Sequence, residues 1–536
     1  MIKSDTIAIF SSNLLKKRPV LKLGVPILVI ITTIVFLSLT NAVMHSSAED
    51  SGESAPDIKW AKSFGGHDFD TFTSVIAVSD GYVAVGYAYA DSFGDGDWEG
   101  VTAKGETDGI IVKFDTEGNV VWAKNFGGAE NDYFYSVTAD NTGYVAVGES
   151  NDGSFETGDL AEIIGKGEYD AIIVKFDTDG NVLWAKGFGG EGYDFFNSVT
   201  AGGNGYVAVG ISSSYSFGNG DWNDTDGNGL QDAIIVKFDV NGNVTWKKNF
   251  GGAGDDAFTS VVADSSGYVA VGLSISTSFG NGDWNDIAGN GGQDAIIVKY
   301  NLNGNLTWAK NFGGVGSDGF ESVTADSSGY VAAGWSEQYS FNTGDWDGIT
   351  GKGTDDATIV KFDKSGGVTW AKNFGGTGTD FFNSVITDSS GYVAVGGAES
   401  SSFGNGDLAG IVGKGEEDAL IVKYDTDGSV VWKKSIGGSS VDTFFSVAAD
   451  SSGYVAVGYS YLGSFGTGDW NGVTGKGDYD ATILKLETAE TEPTEPTEPT
   501  EPGSSGSGIM IWVGIAAVVI ILTVVAVFVM IRYKTP

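Results

Sequence analysis

One stretch of sequence recurs seven times along this chain, and each copy begins 62 residues after the previous one. The tryptophan of each copy is at residue Trp60, Trp122, Trp184, Trp246, Trp308, Trp370 and Trp432. The segments GYVAVG and DAIIVKFD, with small variations, recur at the same period. Because no insertion separates the copies, residues 58–487 are predicted to form a tandem array of one structural unit.

Each copy predicts four short β-strands separated by Gly- and Asp-rich turns. The third strand, of the type AIIVKF, is apolar on both faces, so both faces must be covered by other sheets. Seven four-stranded units stacked face to face around an axis form a seven-bladed β-propeller, and we predict this all-β fold with antiparallel blades. An open β-solenoid is the alternative, but it needs evenly spaced short rungs and terminal caps that the sequence lacks.

The two ends of the array predict how the ring closes. The array begins with an unpartnered tryptophan strand, IKWAKSF, and it ends with DATILKLE, which no tryptophan strand follows. We therefore expect the N-terminal strand to complete the last blade, which hides two sheet edges that would otherwise be open.

The motifs W-x-K-x-x-G-G, D-x-F-x-S-V, G-Y-V-A-V-G and D-A-I-I-V-K-F-D together resemble the SBBP-type β-propeller repeats of bacterial and archaeal surface or secreted proteins. The resemblance extends over residues 58–487 and recurs seven times. It implies an extracellular propeller, and it carries no catalytic residues to transfer to this chain.

A loop in the third copy has the spacing of a calcium site. The sequence DTDGNGLQD places oxygen-bearing side chains at Asp224, Asp226, Asn228 and Asp232, and Leu230 contributes a carbonyl. Calcium prefers six to eight oxygen ligands, so one ion is predicted here. The spacing resembles the calcium loops of integrin α-subunit propellers, whereas the alternative is a solvated Asp/Asn/Gly turn.

The other copies alter this loop. Copy four keeps Asp286, Asn290 and Asp294, but Ala288 replaces a ligand, so it should bind calcium weakly or not at all. The remaining copies have lysine in place of Asn228, at residues Lys104, Lys166, Lys352, Lys414 and Lys476. An ammonium group offers only donors. We expect these lysines to place a positive charge against the aspartate that opens the next strand, in metal-free loops.

Two further sets of side chains recur. An aspartate precedes the F-x-S-V strand of each copy, at residues Asp70, Asp132, Asp194, Asp256, Asp318, Asp380 and Asp442. These carboxylates either surround a channel mouth that binds a cation or basic peptide, or accept backbone N–H groups in their own turns, and turn chemistry favours the latter. Loop tryptophans occur at Trp98, Trp222, Trp284, Trp346 and Trp470. Their replacement by Leu160 and Leu408 favours packing over ligand recognition.

The segments outside the array predict a membrane protein. Residues 1–23 are basic, and residues 24–43 are hydrophobic, either a cleaved signal peptide or a signal-anchor helix. Residues 488–508 form a Thr-Glu-Pro and Gly-Ser stalk. Residues 509–531 predict a transmembrane helix, and residues 532–536 a short cytoplasmic tail. We therefore expect the propeller to lie outside the cytoplasm, anchored to the cell membrane.

Composition excludes several functions. The chain has no cysteine, two histidines and a formal charge of -40, and its only arginines are Arg18 and Arg532. Nucleic acid is therefore not expected as a partner. We predict no enzymatic activity, because no nucleophile or acid/base pair stands out among the seven copies. The predicted function is binding or adhesion to an extracellular protein or glycan. The alternatives are a structural surface component without a specific ligand and an ectoenzyme acting on polysaccharide.

Overall fold

A computed structural model describes residues 54–488. The predicted segments 1–23, 24–43, 509–531 and 532–536, and the stalk after residue 488, lie outside these residues. Within them, 28 strands form seven antiparallel sheets of four strands each, which confirms the predicted seven-bladed propeller. In the same part of the chain, no helix has the length and apolar character needed to span a membrane.

Six blades are each built from four consecutive strands, and the seventh combines both ends of the array. The strands of blades one to four are β2 (Asp70–Val78), β3 (Gly81–Tyr89), β4 (Thr107–Phe114), β5 (Val120–Phe126), β6 (Asp132–Asp140), β7 (Gly143–Asn151), β8 (Tyr169–Phe176), β9 (Val182–Phe188), β10 (Asp194–Ala201), β11 (Gly205–Ser213), β12 (Gln231–Asp239), β13 (Val244–Phe250), β14 (Asp256–Asp264), β15 (Gly267–Ile275), β16 (Gln293–Asn301) and β17 (Leu306–Phe312). Those of blades five to seven are β18 (Asp318–Ala325), β19 (Gly329–Glu337), β20 (Asp355–Asp363), β21 (Val368–Phe374), β22 (Asp380–Thr387), β23 (Gly391–Glu399), β24 (Glu417–Asp425), β25 (Val430–Ile436), β26 (Asp442–Asp450), β27 (Gly453–Tyr461), β28 (Tyr479–Glu487) and β1 (Asp57–Phe64).

The N-terminal strand β1 is the outermost strand of blade seven, as predicted. It pairs antiparallel with β28, from Asp57 opposite Glu487 to Phe64 opposite Ala481. Phe64 is buried, and Lys59 forms an ion pair of 2.7 Å with Glu487. The ring is thus closed by a strand from the opposite end of the array, and the edge of β28 is covered.

The first strand of each blade is the innermost, and neighbouring first strands contact one another around the ring. The serine of the F-x-S-V motif links them, because its hydroxyl oxygen accepts a hydrogen bond from a valine N–H of the next blade. Ser74 accepts from Val137 at 3.3 Å, and Ser446 accepts from Val75 at 3.2 Å across the closure of the ring. The recurring serine therefore helps to set the spacing of the blades at the axis.

The hydrophobic core lies between adjacent blades. The third strand of each blade is buried along its length, for example at Ile110, Ile111 and Val112. The tryptophan of each fourth strand packs against a tyrosine of the next blade, with a Trp60 to Tyr82 centroid distance of 6.0 Å. The periodic tryptophans are therefore structural, as one large aromatic per blade interface suggests.

The propeller has two distinct ends. The long loops between second and third strands, together with the connections between blades, lie at one end, which we call the loop face. The tight turns between first and second and between third and fourth strands lie at the other end, the turn face. Seven single-turn 3-10 helices recur in the long loops, at Gly96–Trp98, Gly158–Leu160, Gly220–Trp222, Gly282–Trp284, Gly344–Trp346, Gly406–Leu408 and Gly468–Trp470. Four more occur at Ala90–Ser92, Asp152–Ser154, Ser400–Ser402 and Leu462–Ser464.

Candidate functional site on the loop face

The seven aspartates before the first strands are buried, and they stabilise their own turns. Asp70 accepts the N–H of Gly66 at 2.9 Å, and the same glycine bond recurs in all seven copies. The loop tryptophan is buried beside this carboxylate in five blades, where its indole N–H donates to it, as Trp98 does to Asp70 at 2.8 Å. Turn stabilisation and packing are thus the confirmed roles of these two sets.

Blade six has the same aspartate without a tryptophan beside it. Leu408 occupies the tryptophan position there, and Ala398 lies opposite Asp380 where most blades have serine. Oδ1 of Asp380 is buried without a hydrogen-bond partner, and burial raises the pKa of this carboxyl to about 7. An unpaired buried carboxylate oxygen is costly, so this blade retains a group that is partly protonated near neutral pH.

The predicted calcium ligands lie on one loop, but they contact protein donors rather than one another. Asp232 is buried and accepts the backbone N–H of Asn228 at 2.8 Å and the side-chain amide of Asn249 at 2.6 Å. Asp224 forms an ion pair of 2.5 Å with Lys247. These two carboxylates are therefore already neutralised or hydrogen-bonded within the protein.

The other three predicted ligands are similarly separated. The side-chain amide of Asn228 donates to Asp283 of the next blade at 3.1 Å. The Leu230 carbonyl accepts the N–H of Ser214 at 2.8 Å, and Asp226 is exposed. Between residues 54 and 488, no three His, Cys, Asp or Glu side chains come together as a metal-binding group. Calcium binding here stays a prediction that would require the loop to rearrange.

The lysines at the Asn228 position bridge adjacent blades. Lys104 donates its backbone N–H to Asp108 at 2.9 Å, while its ammonium group lies 2.6 Å from Asp159 of the next blade. The lysine charge also acts on the aspartate that opens its own third strand, as expected. Burial raises the pKa of Asp108, and the nearby ammonium of Lys104 opposes this rise, although the ion pair of Lys104 is with the next blade. The equivalent ion pairs join Lys166 with Asp221 at 3.0 Å, Lys352 with Asp407 at 2.8 Å, Lys414 with Asp469 at 2.9 Å and Lys476 with Asp97 at 2.7 Å.

We call each contact of this kind between adjacent blades a junction. Seven junctions occur, and five of them use lysine. The two junctions without lysine use an amide donor: Asn228 to Asp283 at 3.1 Å and Asn290 to Asp345 at 2.9 Å. The residue at this position is thus a donor to the next blade in every copy, and charge is what differs.

On the loop face, one pair of residues in each blade differs in residue type from blade to blade. This pair is the last one in the β-ladder between the second and third strands, and we call it the terminal rung. The terminal rungs are Tyr89 with Thr107, Asn151 with Tyr169, Ser213 with Gln231, Ile275 with Gln293, Glu337 with Asp355, Glu399 with Glu417 and Tyr461 with Tyr479. The adjacent pair is serine or alanine opposite aspartate in all seven blades.

Aromatic terminal rungs combine with neighbouring rings into one cluster across blades seven, one and two. This rim patch consists of Phe69, Tyr87, Tyr89, Tyr133, Tyr459, Tyr461 and Tyr479. Phe69 lies at its centre, with its ring centroid 5.0 Å from Tyr89 and 5.1 Å from Tyr479. Tyr461 lies 4.9 Å from Tyr479. Tyr89 and Tyr461 are 40% and 38% exposed, so the cluster presents aromatic surface to solvent.

The terminal rungs of blades five and six are acidic instead. Burial, together with the nearby charges of Glu337 and Glu399, raises the pKa of Asp355. Burial also raises the pKa of Glu417, and Glu399 adds to this effect. Aromatic and acidic side chains thus occupy different sectors of one face, on a framework whose other residues are nearly the same in each blade.

Sequence analysis missed the rim patch, although a signal was present. Positions 69, 87, 89 and 107 and their equivalents vary among copies, whereas the segments around them hardly change. Variation at a few positions of a repeat marks the surface that packing does not dictate.

The chain is similar to several solved structures at low sequence identity. No protein-family model matches the chain, and no curated protein sequence does. The SBBP-type resemblance is therefore not confirmed. The WD40 β-propeller domain of Doa1 is 12% identical, with a TM-score of 0.39, covering 80% of this chain and 97% of that one. The β-propeller domain of the Trilobed protease from Pyrococcus furiosus is 8% identical, with a TM-score of 0.38, covering 82% and 100%. A europium-containing methanol dehydrogenase is 10% identical, with a TM-score of 0.34, covering 80% and 93%.

Proposed function

We propose that the protein is a membrane-anchored, extracytoplasmic β-propeller that binds an extracellular protein or glycan through the rim patch. The observation that carries the proposal is the solvent-facing cluster of tyrosines around Phe69. Aromatic rings at a surface offer large apolar area with few rotatable bonds, and tyrosine adds a hydroxyl for hydrogen bonding. Sugar rings and peptide side chains both stack on such surfaces.

Two observations support a binding role over catalysis. The seven aspartates that open the first strands, Asp380 included, are buried and make the same glycine hydrogen bond, so each carboxylate is held in its own turn away from solvent. The rim patch, by contrast, is confined to one sector of the ring. A sector-specific apolar surface is what a binding interface requires, whereas a structural component without a ligand would not need it.

An array of glycans and extracellular proteins, probed with the purified full-length chain, tests the proposal. The double variant Tyr89→Ser, Tyr461→Ser should lose at least tenfold in affinity for the ligand found. Tyr339→Ser is the matched control, because this side chain is 70% exposed on blade five, outside the patch. Binding that is equal in both variants, or no binding by the unaltered chain, would favour a structural component without a specific ligand.

The proposed location has its own test. The predicted stalk at residues 488–508 should be cut by protease added outside intact cells, releasing the propeller. A tag placed after Pro536 should stay protected on the cytoplasmic side. Digestion of that tag from outside would refute the proposed orientation.

A further inference from the structure

A second set of side chains recurs on the turn face, where five blades hold a buried lysine against an aspartate. The aspartate comes from the turn after the first strand, the lysine from the third strand of the same blade, and a tyrosine of the next blade donates its hydroxyl. In blade five, Lys361 lies 2.7 Å from Asp326, and the hydroxyl of Tyr392 donates to Asp326 at 2.6 Å. The other four sets are Asp140 with Lys175 and Tyr206, Asp264 with Lys299 and Tyr330, Asp388 with Lys423 and Tyr454, and Asp450 with Lys485 and Tyr82.

Blade three lacks the carboxylate but keeps both donors. Gly202 stands where the other blades have aspartate, and Lys237 and Tyr268 occupy the donor positions. Lys237 is only 5% exposed, and its sole described hydrogen-bond acceptor is the Gly202 carbonyl. In the part of the chain that the structure describes, the Tyr268 hydroxyl has no hydrogen-bond partner, and burial alone raises its pKa.

The two donors keep the relative placement that they have in the complete sets. Nζ of Lys237 lies 5.5 Å from the ring centroid of Tyr268, and the corresponding distance in blade five is 5.4 Å. Burial lowers the pKa of Lys237 to about 8, so the ammonium form still predominates at pH 7. A buried cation without a counter-ion favours any anion that can reach it.

In blade one, the carboxylate that pairs with the lysine comes from a different residue of the turn. Val78 replaces the aspartate there, but Asp80, two residues further along the turn, lies 2.5 Å from Lys113. The turn of blade three, Gly202-Gly203-Asn204-Gly205, has no carboxylate at any position. Blade three is therefore the blade whose turn supplies no counter-ion for its lysine.

The turn of blade three lies directly against the two buried donors. Gly203 and Asn204 both have positive φ, at 56° and 61°. A Cβ added to Gly203 would lie 2.9 Å from the Tyr268 hydroxyl and 3.7 Å from Nζ of Lys237. Any larger residue at position 203 would crowd the space in front of both groups.

We propose that blade three contains a binding site for a small carboxylate ligand, held by the ammonium group of Lys237 and the hydroxyl of Tyr268. The group that blade three lacks, relative to the five complete sets, is a carboxymethyl group, and acetate is the free equivalent of that group. An ammonium group in an ion pair and a phenol hydroxyl that donates a hydrogen bond are the two partners that the five aspartates already have. This inference does not rest on the proposed function, because the site lies on the turn face.

The test uses the full-length chain with 13C-labelled lysine and follows the Cε signal of Lys237 by NMR at pH 7. Sodium acetate, added at constant ionic strength, should shift this signal saturably, whereas the neutral isostere acetamide should not. In Gly202→Asp, which restores an internal carboxylate, the apparent acetate affinity should fall at least tenfold. An unshifted signal, an equal response to acetamide, or an unchanged response in Gly202→Asp would overturn the proposal.

A matched variant creates the same vacancy elsewhere. Asp326→Gly removes the carboxylate of blade five and should make the Lys361 signal respond to acetate, and a folded variant without that response would also count against the site. A capped peptide with one aspartate distinguishes the source of the carboxylate. A tighter response to the peptide than to acetate would assign the site to an acidic protein segment rather than to a free small molecule.

Discussion

Lysine junctions and asparagine junctions make the same contact with different charge. At five junctions an ammonium group meets an aspartate of the next blade, as Lys352 meets Asp407 at 2.8 Å. At the other two, a neutral amide donates to Asp283 or to Asp345. Burial raises the pKa of these two carboxyls, and in the described part of the chain neither has an ion-pair partner. The blade contact therefore depends on a donor at this position, and the charge of that donor is secondary.

This comparison changes the interpretation of the copy-three loop. From the sequence, lysine replaces a ligand of the metal. In the structure, Asn228 and the lysines make the same two contacts. Each donates its backbone N–H to an aspartate of its own blade, and its side-chain nitrogen contacts an aspartate of the next blade. The shared pattern is of donors around carboxylates rather than of oxygens around a cation.

The largest effect is expected at the junction between blades seven and one, which depends on the N-terminal strand. Lys476 contacts both Asp97 at 2.7 Å and the carbonyl of Ser63 in β1 at 2.9 Å. Deleting residues 57–66 removes that acceptor, bares β28 and empties the site of buried Phe64. Loss of one such aromatic alone costs about 3 to 5 kcal/mol, so the free energy of unfolding should fall by at least this much.

Thermal unfolding and analytical ultracentrifugation measure the consequences of this deletion. The exposed edge of β28 should promote association between molecules. A variant that stays monomeric with an unchanged Tm would show that β1 does not hold the ring closed.

Much of this fold could be predicted, because the residues that determine the strands and their packing recur in all seven copies. The strand order, the closure by β1 and the packing role of the tryptophans all follow from periodic apolar residues and from the unpartnered ends. The junctions could not be predicted, since the partners of Lys104 and Asn228 lie 55 residues away in the next blade. Sequence spacing within one loop suggested a ligand set, whereas contacts between blades determine where these side chains point.

A lysine junction should be weakened by removing its charge. Lys352→Met keeps most of the aliphatic chain but leaves the Asp407 carboxylate without its ammonium partner. Because both groups are partly buried, we expect a loss of about 1 to 2 kcal/mol in unfolding free energy, above the value for exposed pairs. Chemical denaturation measures it, with Lys364→Met on the exposed surface of the same blade as the control. Equal losses in the two variants would mean that the ion pair contributes nothing specific.

An asparagine junction should be strengthened by adding the charge. Asn290→Lys places an ammonium near Asp345, whose pKa burial raises above the ordinary 3.8. In the unaltered chain, this carboxyl favours folding when protonated, and that contribution is lost as pH rises through its folded pKa. The added lysine should offset the loss and stabilise the protein by about 0.5 to 1 kcal/mol at pH 7.

The sign of the pH dependence makes the asparagine prediction specific. The gain should shrink as pH falls and Asp345 becomes protonated, because a neutral carboxyl no longer attracts the ammonium. Unfolding free energies at pH 7 and pH 4 for both chains decide it. A gain that is the same at both pH values would point to packing of the lysine chain rather than to pairing with Asp345.

The smallest expected effect is calcium binding by the Asn228 loop, which would set the two asparagine junctions apart from each other. Binding requires Asn228 to leave Asp283 and Asp224 to leave Lys247, so we expect a dissociation constant at the weak end for extracellular modules, about 10⁻³ M. At 1 mM calcium this stabilises the fold by about 0.4 kcal/mol. The Asn290 loop, with Ala288 in a ligand position, should contribute less.

Calorimetry measures this binding, with Asp226→Ala as the control. The described contacts include no hydrogen bond or ion pair of the Asp226 carboxylate. The substitution therefore removes a ligand without removing a contact. Heat of binding that is absent at millimolar calcium, or equal in the variant, would leave the loop as a junction and nothing more.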